Sequence, residues 1–130
     1  MPRIHEIVEQ VQGHFPGVDV SLLEKAYVYS AKVHQGQMRL SGEPYLTHPL
    51  AVAELLAEMR LDHVTVAAGL LHDTVEDTLA TDADIRAQFG PEIGVLITAI
   101  ADPGLRVLAG YAVVFCGVLI VLALVRLAVR

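Results

Sequence analysis

Cysteine is almost missing from this chain. Cys116 is the only one in 130 residues, so no disulfide can form within the chain. The opening residues, MPRIHEIVEQVQ, hold no apolar core of the kind that directs secretion, which leads us to expect the soluble part in the cytoplasm. Strand-like alternation, internal repeats and low-complexity tracts are absent as well. Basic residues are scarce: nine Lys and Arg stand against fifteen Asp and Glu, for a net charge of −6. A nucleic-acid backbone is bound by clustered Lys and Arg, so nucleic acid is excluded as the expected partner.

The charges that are present divide the chain in two. All fifteen acids lie before residue 105, whereas Arg106, Arg126 and Arg130 are the only charged residues after it. Between them, residues 107–125 form an uncharged apolar run, VLAGYAVVFCGVLIVLALV. As a helix it would be roughly 28 Å long, close to the thickness of a bilayer core. We therefore expect a globular domain over 1–104 and a transmembrane-like helix within 105–130, which would anchor a cytoplasmic domain to the inner membrane. A buried core helix is the alternative for the run.

The first hundred residues read as helix after helix, so the fold class is all-α. Ile4, Ile7, Val8 and Val11 recur at helical spacing until Gly13 and Pro16. Ser21-Leu-Leu-Glu24 matches a capping box and predicts a helix to about Gln35. A loop follows, Gly36 to Thr47. Pro49 suits the first turn of the next helix, where its missing N–H is not needed; that helix should bury Leu50, Val52, Ala53, Leu56 and Met59. After a turn near Leu61-Asp62, a strongly apolar helix is predicted from Val64 to about Asp77. Thr81-Asp82-Ala83-Asp84 resembles a second capping box, and Gly90-Pro91 separates its helix from the last one, Glu92 to Ile100.

The chemistry concentrates in Leu70-Leu71-His72-Asp73-Thr74-Val75-Glu76-Asp77, where an apolar helix turns abruptly polar. On a continuous helix, Glu76 shares a face with His72 and Asp73. Three acids and an imidazole within two turns repel one another unless a cation sits among them, and imidazole with carboxylate suits Mn²⁺, Fe²⁺ or Zn²⁺. The pattern equally fits a solvated helix end. His48, fixed beside Pro49, is a further candidate ligand, although a His next to Pro is more often a capping or surface residue. Arg39, in the polar loop 36–45, offers a planar group that stacks on a base or pairs with phosphate.

Taken together, AYVYSAKVHQGQMRLSGEPYLTHPLAVAELLAEMRLDHVTVAAGLLHDTVEDT and the following TDADIRAQFGPEIGVLITAI resemble the N-terminal HD-type hydrolase domain of the RelA/SpoT family over about residues 1–100. The pairing of GQxRxSGEPYxxHP with LLHDxVEDT is far more specific than His-Asp alone. The resemblance implies an all-helical HD-domain bundle, here partial. It also implies Mn²⁺-dependent removal of the 3′-pyrophosphate from guanosine tetra- and pentaphosphate, the alarmones of the stringent response. By that resemblance His48, His72 and Asp73 are metal ligands, Glu76 and Asp77 position or activate the attacking water, and Arg39 and Ser41 hold the guanosine end.

The chain departs from the family at Leu40, where a lysine is usual, and beyond Ile100, where the pattern stops before the family's fourth metal ligand. Two alternatives follow: a catalytically silent nucleotide- or metal-binding module at the membrane, and a truncated or frame-shifted remnant.

Overall fold

A computed structural model describes residues 2–101, with the backbone alone at Glu76, Asp77 and 99–101. Seven helices make up the described residues: α1 (Ile4–His14), α2 (Ser21–Val33), α3 (Thr47–Glu58), α4 (His63–Leu71), α5 (Thr74–Asp77), α6 (Asp82–Phe89) and α7 (Pro91–Ala101). The only β-type pairing among them is an isolated antiparallel bridge between Met38 and Pro44. The all-α expectation is met. The boundary at 104/105 and the expected transmembrane-like helix over 107–125 lie outside the described residues. Among the described residues no helix is long and apolar enough to cross a membrane.

α4 is the centre of the bundle. Its sequence, HVTVAAGLL, has no polar face after its first residue, and every side chain from Val64 to Leu71 is buried. A helix that is apolar all round must be enclosed on all sides, and α4 packs against α2, α3 and α7. α1 closes over α2 and α3, and α6 packs on α7.

Gly69 sets how closely α3 and α4 approach. A Cβ at this position would stand 2.5 Å from Leu56 Cδ1 and 3.4 Å from Val52 Cγ1, both on α3. Leu56 is itself fully buried and has little room to give. Gly69→Val is therefore expected to overpack the interface and cost about 1–3 kcal/mol in urea denaturation, although valine is the better helix former.

Helix ends follow local chemistry, with two departures from the sequence expectation. Thr81 Oγ1 accepts from Asp84 N (3.1 Å) and Asp84 Oδ2 accepts from Thr81 N (3.0 Å), so the second capping box forms. Removing the hydroxyl in Thr81→Ala should cost about 1 kcal/mol of stability. The reciprocal bonds from the Thr81 backbone and side chain hold the Asp84 carboxyl below its usual range. A depressed carboxyl stabilises the fold above its unfolded pKa, and that contribution is lost as pH falls through the lower, folded value. Acid titration of the variant should accordingly show a weaker loss in that range.

The box at Ser21 does not form: Val20 is the N-cap, and Asp19 Oδ1 accepts from Ser21 N at 3.0 Å. A carboxylate two residues upstream reaches that N–H first. Met59 is the second departure, 48% exposed instead of buried. It is the C-cap of α3, next to Arg60 in the left-handed region (φ 60°), so the chain is already turning away from the core.

Candidate metal centre

The predicted helix from Val64 to Asp77 is interrupted at the functional residues. α4 ends at Leu71, His72 and Asp73 form a turn, and α5 resumes at Thr74. The cause is local competition for the backbone. His72 Nδ1–H donates to the Gly69 carbonyl at 2.6 Å, and Thr74 Oγ1 donates to the Leu71 carbonyl at 2.8 Å. Side chains that occupy the last carbonyls of a helix offer the chain an alternative to continuing the ladder. The continuous helix expected from Val64 to Asp77 is therefore not formed, and the face expected to carry Glu76 with His72 and Asp73 involves a side chain that lies outside the described residues.

The break orients His72. A carbonyl accepts only, so Nδ1 carries the proton and Nε2 is left with a lone pair. A backbone carbonyl behind a ligating imidazole is the usual device for fixing tautomer and ring orientation. His72 is 7% exposed. Its Nε2 faces Asp73 Oδ1 at 3.0 Å and His48 Nε2 at 3.1 Å, while His48 Nε2 lies 3.3 Å from Asp73 Oδ2. His48 comes from the first turn of α3, 24 residues before His72. The close α3–α4 approach permitted at Gly69 lies one turn below this meeting point.

Asp73 is held as a carboxylate. Burial pushes its pKa up, but the imidazolium forms of His72 and His48 beside it and the Tyr45 hydroxyl outweigh it, and the net shift is downward; the neutral His72 with its Nε2 lone pair is the form that would ligate a cation. The Tyr45 hydroxyl donates to Asp73 Oδ2 at 3.3 Å.

The donor set fits a divalent cation. One atom from each of His48, His72 and Asp73 lies within 4.8 Å of the others. Separations of 3.0–3.3 Å are those between neighbouring ligands when each bond to the ion is about 2.1 Å. Two imidazoles and one carboxylate suit borderline divalent metals, and the positive charge would relieve the crowding of acceptors.

Arg39 and Ser41 are exposed on a hairpin closed by the Met38–Pro44 bridge, with Arg39 N donating to Glu43 O at 2.9 Å. Neither belongs to the three-donor cluster. Glu76 and Asp77 lie on α5, and their side chains fall outside the described residues. The sequence reading missed Tyr45 and the Gly69 carbonyl. Tyr45 carries one usable signal, its place three residues before His48, one turn away in the entry to α3.

Residues 26–103 match the family model described as the HD domain. The chain is 54% identical over 97 residues to a GTP pyrophosphokinase rsh of Brucella melitensis, covering 75% of this chain and 13% of that protein. It is 45% identical over 91 residues to the bifunctional (p)ppGpp synthase/hydrolase SpoT of Escherichia coli, covering 70% of this chain and 13% of the relative. The guanosine-3′,5′-bis(diphosphate) 3′-pyrophosphohydrolase of a second Escherichia coli strain matches at the same identity and coverage, 45% over 91 residues, 70% and 13%. The chain thus spans about an eighth of the length of these relatives. The matched region contains the whole donor cluster, and the chain belongs to the HD domain family, as a homologue of the RelA/SpoT (p)ppGpp synthase/hydrolases.

Proposed function

We propose that this domain is a divalent-metal-dependent phosphohydrolase of the (p)ppGpp 3′-pyrophosphohydrolase type. The observation that carries the reading is the convergence of His48, from the first turn of α3, with His72 and Asp73, from the turn after α4. These residues hold the cation, with Mn²⁺ the first choice. The cation supplies Lewis acidity and positive charge toward a phosphoester. Asp73 contributes the one anionic donor, and the Gly69 carbonyl keeps the His72 lone pair aimed inward. Glu76 and Asp77, three and four residues past Asp73, supply the carboxylate that orients the attacking water and takes its proton. Arg39 and Ser41 hold the guanosine end, Arg39 by stacking on the base or pairing with phosphate.

Purified protein incubated with ppGpp and Mn²⁺ should release pyrophosphate, and Asp73→Asn should not. Failure of the unaltered chain, under conditions where a full-length relative is active, overturns the reading.

A second reading, metal and nucleotide binding without turnover, is favoured by the number of donors: three converge among the described residues. Three protein ligands with open positions are also the pattern of catalytic centres, so calorimetry alongside the assay separates the two. Binding of Mn²⁺ and ppGpp without product supports the silent module.

Attachment of the domain to the inner membrane through 107–125 belongs to the same proposal and rests on the length and lack of charge of that run. Recovery of the full chain in the membrane fraction, and of a chain ending at residue 104 in the soluble fraction, is the expected result.

A further inference from the structure

The Asp73 carboxylate needs a device to set its plane. The last torsion of an aspartate is soft and roughly two-fold, so a carboxylate at a turn drifts unless a hydrogen bond stops it. Two features supply that stop, and neither belongs to the ligand set.

The first is the Tyr45 hydroxyl on Asp73 Oδ2 at 3.3 Å. The second is what holds Tyr45. Its ring lies flat on the His34 imidazole, with centroids 4.5 Å apart and planes 19° from parallel. His34 is 4% exposed, and its Nδ1–H donates to Gln37 Oε1 at 2.9 Å. With the proton on Nδ1, its buried Nε2 makes no hydrogen bond among the described residues, so the ring serves as a platform rather than a hydrogen-bonding group. The backbone adds a third restraint, because Tyr45 N donates to Gln37 O at 3.1 Å across the base of the 38–44 hairpin. The tyrosine is thus clamped by its ring, by its amide and by the hairpin that carries Arg39 and Ser41.

We infer that Tyr45 is a positioning residue of the metal centre: its hydroxyl fixes the plane of the Asp73 carboxylate, and the His34 ring and the hairpin base fix Tyr45. This rests on the reading of His48, His72 and Asp73 as metal ligands. The arrangement also ties the hairpin to the cluster, so a ligand engaged by Arg39 would bear on Asp73 through one side chain.

Tyr45→Phe keeps the ring, its stacking and the backbone bond, and removes only the hydroxyl. Mn²⁺ binding to the full chain is measured by electron paramagnetic resonance of the free ion, together with the melting temperature of the metal-free protein. The variant is expected to bind Mn²⁺ about tenfold or more weakly, as losses behind a ligand commonly do, with an unchanged metal-free melting temperature. Equal affinity in Tyr45→Phe and the unaltered chain overturns this inference alone. An unaltered chain that binds no Mn²⁺ overturns it together with the ligand assignment. Weaker binding with a metal-free fold that no longer melts cooperatively also overturns it, since the residue would then be structural.

Discussion

His72→Ala is expected to abolish Mn²⁺-dependent release of pyrophosphate from ppGpp and to weaken Mn²⁺ binding by about 100-fold or more. Loss of a group behind a ligand already costs about 10–100-fold, and this substitution removes a ligand itself. At about 1.4 kcal/mol per tenfold, that is roughly 3 kcal/mol of binding free energy. The site has three donors among the described residues, and His72 touches both of the others.

The same variant loses the bond from Nδ1 to the Gly69 carbonyl. A buried acceptor deprived of its partner costs about 1–3 kcal/mol, so the melting temperature should fall while the domain stays folded. His5→Ala is the matched control, an exposed histidine on α1; activity and Mn²⁺ affinity should not change. Retained metal affinity in His72→Ala would remove His72 from the ligand set.

The largest effect on stability is expected from Leu70→Ala. Leu70 is fully buried on α4, the helix that α2, α3 and α7 surround. Truncating such a leucine removes its transfer free energy and leaves a cavity that close-packed neighbours fill only in part, at a cost of about 2–5 kcal/mol. Domains of this size are stable by about 5–15 kcal/mol, so at mid-range the variant should lose about a third of its stability in urea denaturation. Leu79 is fully exposed, between α5 and α6. Leu79→Ala should stay within about 0.5 kcal/mol. Equal losses in the two variants would mean that α4 is not the centre of the core.

Most helices were legible because their periodicity and breakers are local. Gly90-Pro91 separates α6 from α7, and the Thr81–Asp84 box forms where its spacing places it. Ser21 shows the limit of such reasoning: a capping pattern is an offer, and Asp19 was the closer acceptor. Asp62 shows the converse. Its carboxylate caps α4 through Thr65 N at 3.0 Å, although that stretch reads only as a turn.

The candidate site divides along the same line. By themselves, the residues determine that His72 and Asp73 are adjacent where an apolar helical stretch turns polar and that His48 begins another helix. Their types suit a divalent metal, and their motif is that of the RelA/SpoT homologues. Only the tertiary structure decided that His48 reaches His72 across 24 residues, because this depends on how closely α3 lies on α4, and a glycine facing Leu56 governs that distance. It also decided that the helix breaks at the site, since the competing bonds to the Gly69 and Leu71 carbonyls need the folded turn. Tyr45 joins the cluster for the same reason: a hydroxyl is placed by the loop and ring that hold it, and no spacing in the sequence states that contact.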